Sequence, residues 1–115
     1  MKIELETIQE FFADNWNRGI ALERREMLWT HHFVDPSKDE LARIIPTLRK
    51  AGYFNVEIVA LESGYLLQAS EIRSHTVESL HAKCAELDQL ANQNEIADYD
   101  GFDVGNVDGT ILDKT

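Results

Sequence analysis

The chain has 115 residues, 43% hydrophobic and 28% charged, which suits a single domain with its own core. Its 21 acids against 11 bases leave a net charge of −10, which repels phosphate backbones and disfavours direct binding of nucleic acid. The single cysteine, Cys84, excludes an intrachain disulfide, no apolar run approaches the ~20 residues of a membrane span, and the opening MKIELETIQE has no apolar signal core. A reducing, cytoplasmic setting is the expectation.

Residues 2–17 carry Leu5, Ile8, Phe12 and Trp16 on one helical stripe, with Ile3 and Phe11 at its margin. An amphipathic helix is predicted within residues 1–19, packed on the domain or used for docking or dimerisation. Residues 18–26 are mostly charged and read as loop. Residues 27–34, MLWTHHFV, are aromatic and β-branched, a strand signal. Alternation puts Met27, Trp29, His31 and Phe33 on one face and Leu28, Thr30, His32 and Val34 on the other. Both faces are apolar enough for a central strand.

A helix then opens at Asp35-Pro36-Ser37. Its cap is either Asp35, with Pro36 in the first turn, or Ser37, with Glu40 completing a capping box. Leu41, Ile44, Ile45 and Leu48 form its buried stripe, Pro46 predicts a kink, and Gly52 a left-handed end. Residues 54–61 and 65–72 alternate as two strands around a tight turn at Glu62-Ser63-Gly64, with Tyr65, Leu67 and Ala69 facing one way. Ser74 is the expected cap of a helix over 75–93, whose seam is Val77, Leu80, Cys84, Leu87 and Ala91. Residues 96–104 form the last strand, in which Asp98, Asp100 and Asp103 interleave with Tyr99, Phe102 and Val104. Acids on a strand suit an edge.

The order from residue 27 is β-α-β-β-α-β. It predicts an α+β, ferredoxin-like domain over residues 20–105, with an antiparallel four-stranded sheet, the additional N-terminal helix, and a flexible tail over 106–115. The sheet order 4-1-3-2 makes 27–34 and 65–72 central and 54–61 and 96–104 edges. Right-handed crossovers put both helices of the repeat on one face, leaving the other open unless the N-terminal helix or a partner covers it.

Little in the chain points to catalysis or to a cofactor. His31 and His32 are adjacent on a strand and point to opposite faces, so they do not chelate one ion. His75 and His81 are six apart on a helix, which is not one face. Residues 98–108 fail as a calcium loop: Asp103 stands where Gly is required and Gly109 where Glu is required. No phosphate loop, dinucleotide fingerprint or nucleophile elbow occurs. Cys84 sits on an apolar helix stripe and reads as a small core residue, with His81 the only base near enough in sequence to pair with it.

The stretch LWTHHFVDPSKDEL, a helix ending in LRKAGY, a hairpin, and then SLHAKCAELDQLA closed by YDGFDVG resemble the regulator of ribonuclease E activity B family, also called ribonuclease E inhibitor B. The likeness covers roughly residues 20–105 plus a comparable leading helix. It implies a ferredoxin-like fold, no cofactor, and a non-catalytic protein that binds the endoribonuclease and restrains RNA cleavage. The chain departs from the family pattern at Phe102, where Trp is expected, and in a short, mildly acidic stretch after Gly105, which makes it a distant member.

The expected partner surface is formed by Asp98, Asp100 and Asp103, joined by Glu57 and Glu62, facing a basic segment of the partner. A second expectation is a small-molecule or catalytic site on the open sheet face near Trp29, His31 and Tyr65. A third is a homodimer through the open face or the N-terminal helix. A deep polar pocket would favour the second, a flat acidic face the first, and a large symmetric apolar contact the third.

Overall fold

The computed structural model describes residues 3–107. Its elements are α1 (Leu5–Asn17), β1 (Met27–Asp35), α2 (Lys38–Ala42), α3 (Ile45–Lys50), β2 (Phe54–Leu61), β3 (Gly64–Arg73), α4 (Val77–Gln93) and β4 (Asp98–Gly105). The four strands form one antiparallel sheet in the order β2-β3-β1-β4. This is the ferredoxin-like order expected from the sequence, with β1 and β3 central and the acid-bearing β2 and β4 at the edges.

Strict alternation in β1 gives the sheet its two faces. Met27, Trp29, His31, Phe33 and Asp35 are buried, and the residues between them are half-buried. The buried set packs beneath the helices with Leu41, Ile44, Leu48, Leu80, Cys84, Leu87 and Ala91. The N-terminal helix lies on this same side. Phe12 stacks on Trp29 with ring centroids 6.4 Å apart, and Phe11 meets Phe102 edge-on at 5.4 Å. No described helix covers the other face.

Local chemistry differs from the expectations at three places. The buried side of α1 runs through Ile8, Phe11, Phe12 and Asn15, while Leu5 and Trp16 are 38% and 56% exposed. The aromatic pair at 11–12 follows the groove over Trp29 and Phe102, which turns the helix away from the predicted stripe. Ser37 is the cap that forms, its hydroxyl accepting from Glu40 N–H, but Pro46 does more than kink the helix. It starts a new one, α3, after a break at Arg43 and Ile44. Thr76, not Ser74, caps α4: it and Ser79 exchange side-chain-to-backbone hydrogen bonds across the first turn, a reciprocal box that Ser74 lies too far upstream to make.

Asp35 is released from capping and ties two ends of the fold together. One carboxylate oxygen accepts from Ser37 N–H at 2.8 Å, and the other from Ala97 N–H at 2.8 Å. Gly64 lies against this corner: a Cβ there would meet the Asp35 carbonyl oxygen at 3.0 Å. The tail expected over 106–115 falls, from residue 108 onward, outside the described residues.

Candidate functional site

Register places the residues expected at a partner surface. Across the uncovered face the strands align in rows: Val59, Leu66, Val34 and Asp98; then Glu57, Gln68, His32 and Gly101; then Phe54, Ser70, Thr30 and Asp103; then Ile72, Leu28 and Gly105. Leu61 continues the first band at its β2 end. Four of the exposed large hydrophobic residues, Phe54, Val59, Leu61 and Ile72, belong to this one face, at 38–47% exposure. Thr30 and Ser70 share a 3.0 Å hydrogen bond at its middle, and His32 Nε2 lies 3.5 Å from Asp103 Oδ2.

A bulge in β4 decides which acids join this face. Between His32 and Phe33 the β1–β4 register shifts. Gly101 takes φ +108°, a left-handed conformation that only glycine adopts without strain. The extra residue is Asp100. Unbroken alternation would put Asp98 with Asp100 and separate both from Asp103. With the bulge, Asp98 and Asp103 share the open face, Tyr99, Phe102 and Val104 turn inward, and Asp100 sits exposed at the kink. Glu57 lies on the open face at the opposite edge, and Glu62 in the β2–β3 turn.

The open-face pocket around Trp29, His31 and Tyr65 does not form. Trp29 and His31 are 0% exposed beneath the helices, and Tyr65, aligned with Asp35, has the same inward parity. Odd positions of β1 all face the helix layer, so a site built on them is buried. A depression on the open face is lined by Leu28, Thr30, His32, Gln68 and Asp103 and measures about 230 Å³. That is below the ~300–1,000 Å³ of small-molecule sites.

Beneath the helices, His31 belongs to a polar chain that the sequence reading did not assemble. Its Nε2 lies 2.9 Å from Glu71 Oε2, and its Nδ1 lies 2.8 Å from the Tyr99 hydroxyl. His75 Nε2 reaches the same Glu71 oxygen at 3.1 Å, and its Nδ1 reaches Ser79 Oγ at 2.8 Å. Burial opposes the charge on Glu71. Hydrogen bonds from His31 and His75 outweigh it and hold the carboxyl well below the usual carboxylate range. Burial pushes His31 down, against the pull of Glu71. An ionised Glu71 and a neutral His31 assign the protons: His31 Nε2–H donates to the carboxylate, and the Tyr99 hydroxyl donates to Nδ1. Burial raises the Tyr99 and Tyr53 phenols, and the Tyr53 hydroxyl has no hydrogen-bond partner among the described residues.

The parity of β3 is the signal that marks Glu71. Leu67 and Ala69 are core residues two apart, and Glu71 is the next in that series: a carboxylate on the inward face of a central strand, four residues before a histidine. Among the described residues, no group of three or more His, Cys, Asp or Glu is placed to hold a metal ion.

Cys84 is 0% exposed, and its sulfur lies 3.5 Å from the Tyr99 oxygen. Among the described residues Cys84 makes no hydrogen bond to His81, and burial pushes the thiol up, away from the reactive thiolate. A thiol reagent is expected to label the native protein on the order of 100-fold or more slowly than the unfolded chain, because reaction waits on opening of the core. Labelling at the unfolded rate would place the thiol at the surface.

The sequence profile described as regulator of ribonuclease activity B matches residues 6–104. The chain belongs to the regulator of ribonuclease activity B family. No curated protein and no solved structure matches it. The family's description supports a regulatory role in RNA metabolism. In this member of the regulator of ribonuclease activity B family, Phe102 is a packing residue. Its ring stands edge-on to Phe11 at 5.4 Å and to Trp29 at 5.7 Å, inside the layer that seats α1. No helix among the described residues is long and apolar enough to cross a membrane.

Proposed function

We propose that this regulator of ribonuclease activity B family member acts in the cytoplasm as a non-catalytic, protein-binding regulator. In this reading it binds an endoribonuclease of the ribonuclease E type through a basic segment of that enzyme and restrains RNA cleavage. The observation that carries the reading is the uncovered sheet face, where apolar bands lie bare between acidic edges. An enzyme that handles RNA needs cationic side chains for its substrate. A surface bearing Asp98, Asp103 and Glu57, with Asp100 and Glu62 at its rim, presents complementary charge to those cations and competes with RNA for them. Family membership supports ribonuclease as the target class.

The test is a cleavage assay with the ribonuclease E-type enzyme of the same cell and a single-stranded RNA substrate. Stoichiometric addition of the protein is expected to slow cleavage, while the protein alone neither cuts nor holds the RNA. Changing Asp98, Asp100 and Asp103 together to Asn is expected to weaken the complex about tenfold and to flatten its salt dependence, with the thermal midpoint little changed. An unchanged cleavage rate with no complex formed would remove the reading. Unchanged affinity in the triple variant would assign these acids to keeping an edge strand soluble.

A further inference from the structure

The rows of the open face specify the shape and chemistry of what covers it, given the reading that the protein regulates a ribonuclease by binding it. Val59, Leu66 and Val34 form one apolar band and Ile72 and Leu28 another, with Gln68, His32, Ser70 and Thr30 between them and Phe54 at the β2 end of the Ser70–Thr30 row. From Leu66 to Ile72 along β3 is six residues, or ~20 Å at strand rise. Across the sheet, Glu57 on β2 and the Asp98–Asp103 edge on β4 are three strand spacings apart, ~14 Å. None of the residues in these rows is Lys or Arg, and the one group able to carry positive charge, His32, faces Asp103.

We infer that the open face is the seat of a basic amphipathic helix of the partner, lying along β1 and β3. A helix is ~10–12 Å across with its side chains, so it fits between the two acidic edges and directs a Lys or Arg row at each. Its apolar anchors sit about 13 residues apart, the number that spans ~20 Å at 1.5 Å per residue, with small or uncharged polar residues between them. An extended segment laid on a sheet face would leave its own N–H and C=O groups unpaired against apolar side chains, whereas a helix satisfies them internally. A second copy of this chain is disfavoured by charge, since face-to-face pairing would set Glu57, Asp98 and Asp103 against the same acids. The half-exposed apolar bands then gain the second layer that an amphipathic sheet requires.

The experiment is site-specific photo-crosslinking of the full chain in its own cells, with mass identification of the joined peptide. The photoreactive residue p-benzoylphenylalanine replaces Val59, Ile72 or, as a comparison on the exposed side of α4, Gln89. Val59 and Ile72 are expected to join one segment, rich in Lys and Arg, at points about 13 residues apart. Glu57→Lys combined with Asp103→Lys is expected to weaken capture at least tenfold, and Glu86→Lys to leave it unchanged. Attachment points only about 6 residues apart, a neutral or acidic segment, a second copy of this chain, or no product from Val59 and Ile72 would each overturn the inference. A ribonuclease reached only from Gln89 would remove this face and keep the proposed function. A basic helical segment from a protein that is not a ribonuclease would keep the face and remove that function.

Discussion

Glu71→Ala is expected to destabilise the protein by about 3–5 kcal/mol, lowering the thermal midpoint by on the order of 10–20 °C. The carboxylate accepts from two buried histidines at 2.9 and 3.1 Å. Hydrogen bonds to a charged group are worth about 1.5–3 kcal/mol each, and removing the acceptor leaves both ring N–H groups buried without a partner. The pH profile separates this cause from simple loss of packing. His31 has a depressed folded pKa, so the unfolded chain binds a proton that the native protein refuses below about the ordinary 6.5. Stability therefore falls as pH drops through that value. Glu71 is also depressed, so its contribution is complete above the ordinary 4.5 and is lost as pH falls below it. The wild type should show a decline beginning below pH 6.5 that steepens below 4.5, and the Ala variant should lose the second step. Urea midpoints measured from pH 3 to 8 give both curves. A variant with wild-type stability and an unchanged acid limb would show that the carboxylate is not held as described.

Trp29→Ala is expected to cost about 3–5 kcal/mol, the range for emptying a large aromatic site. Trp29 is 0% exposed, its indole N–H donates to the Arg73 carbonyl at 2.9 Å, and its ring is bounded by Phe12, Phe102 and His75. The loss should be uneven. Phe12 stacks on the indole, so removing it takes the floor from under α1 while leaving the strand ladders intact. Hydrogen exchange by mass spectrometry is expected to show α1 amides exchanging at least tenfold faster, with β1 and β3 still protected. Uniform loss of protection would mean that α1 and the sheet open as one unit.

The sheet was readable because β1 and β3 are ordinary strands with two distinguishable sides. The acids at 57, 98 and 103 marked the edges because a charged side chain without a buried partner is tolerated on a strand only where water reaches it. Other features depend on neighbours distant in the chain. The β4 bulge is visible as the Asp100-Gly101 pair inside a strand, but the residue that turns outward follows from pairing with His32 and Phe33. The side of α1 that is buried follows from the groove over Trp29 and Phe102, which a helical wheel of residues 2–17 does not contain. Alternation groups His31 with Trp29 and Phe33, but both faces of this strand are apolar in sequence, so which face the helices cover is decided by packing: it is the face of His31. Glu71 and His75 look like surface residues until β3 parity and the i, i+4 spacing are combined with the position of His31 on the adjacent strand.

The position of β1 at the centre of the sheet has a consequence for how the chain assembles. β2 and β3 adjoin through a two-residue turn and pair locally, whereas β1 needs β3 on one side and β4 on the other. His31 and Tyr99, bonded in the core, are 68 residues apart. Closing so long a loop precedes the reward of the contacts it makes, which slows folding. During synthesis the chain runs almost to Gly105 before the second edge of β1 meets its partner. Until then one edge of β1, the strand with the most buried side chains, and His31 on it stand open to water, to chaperones and to other nascent chains.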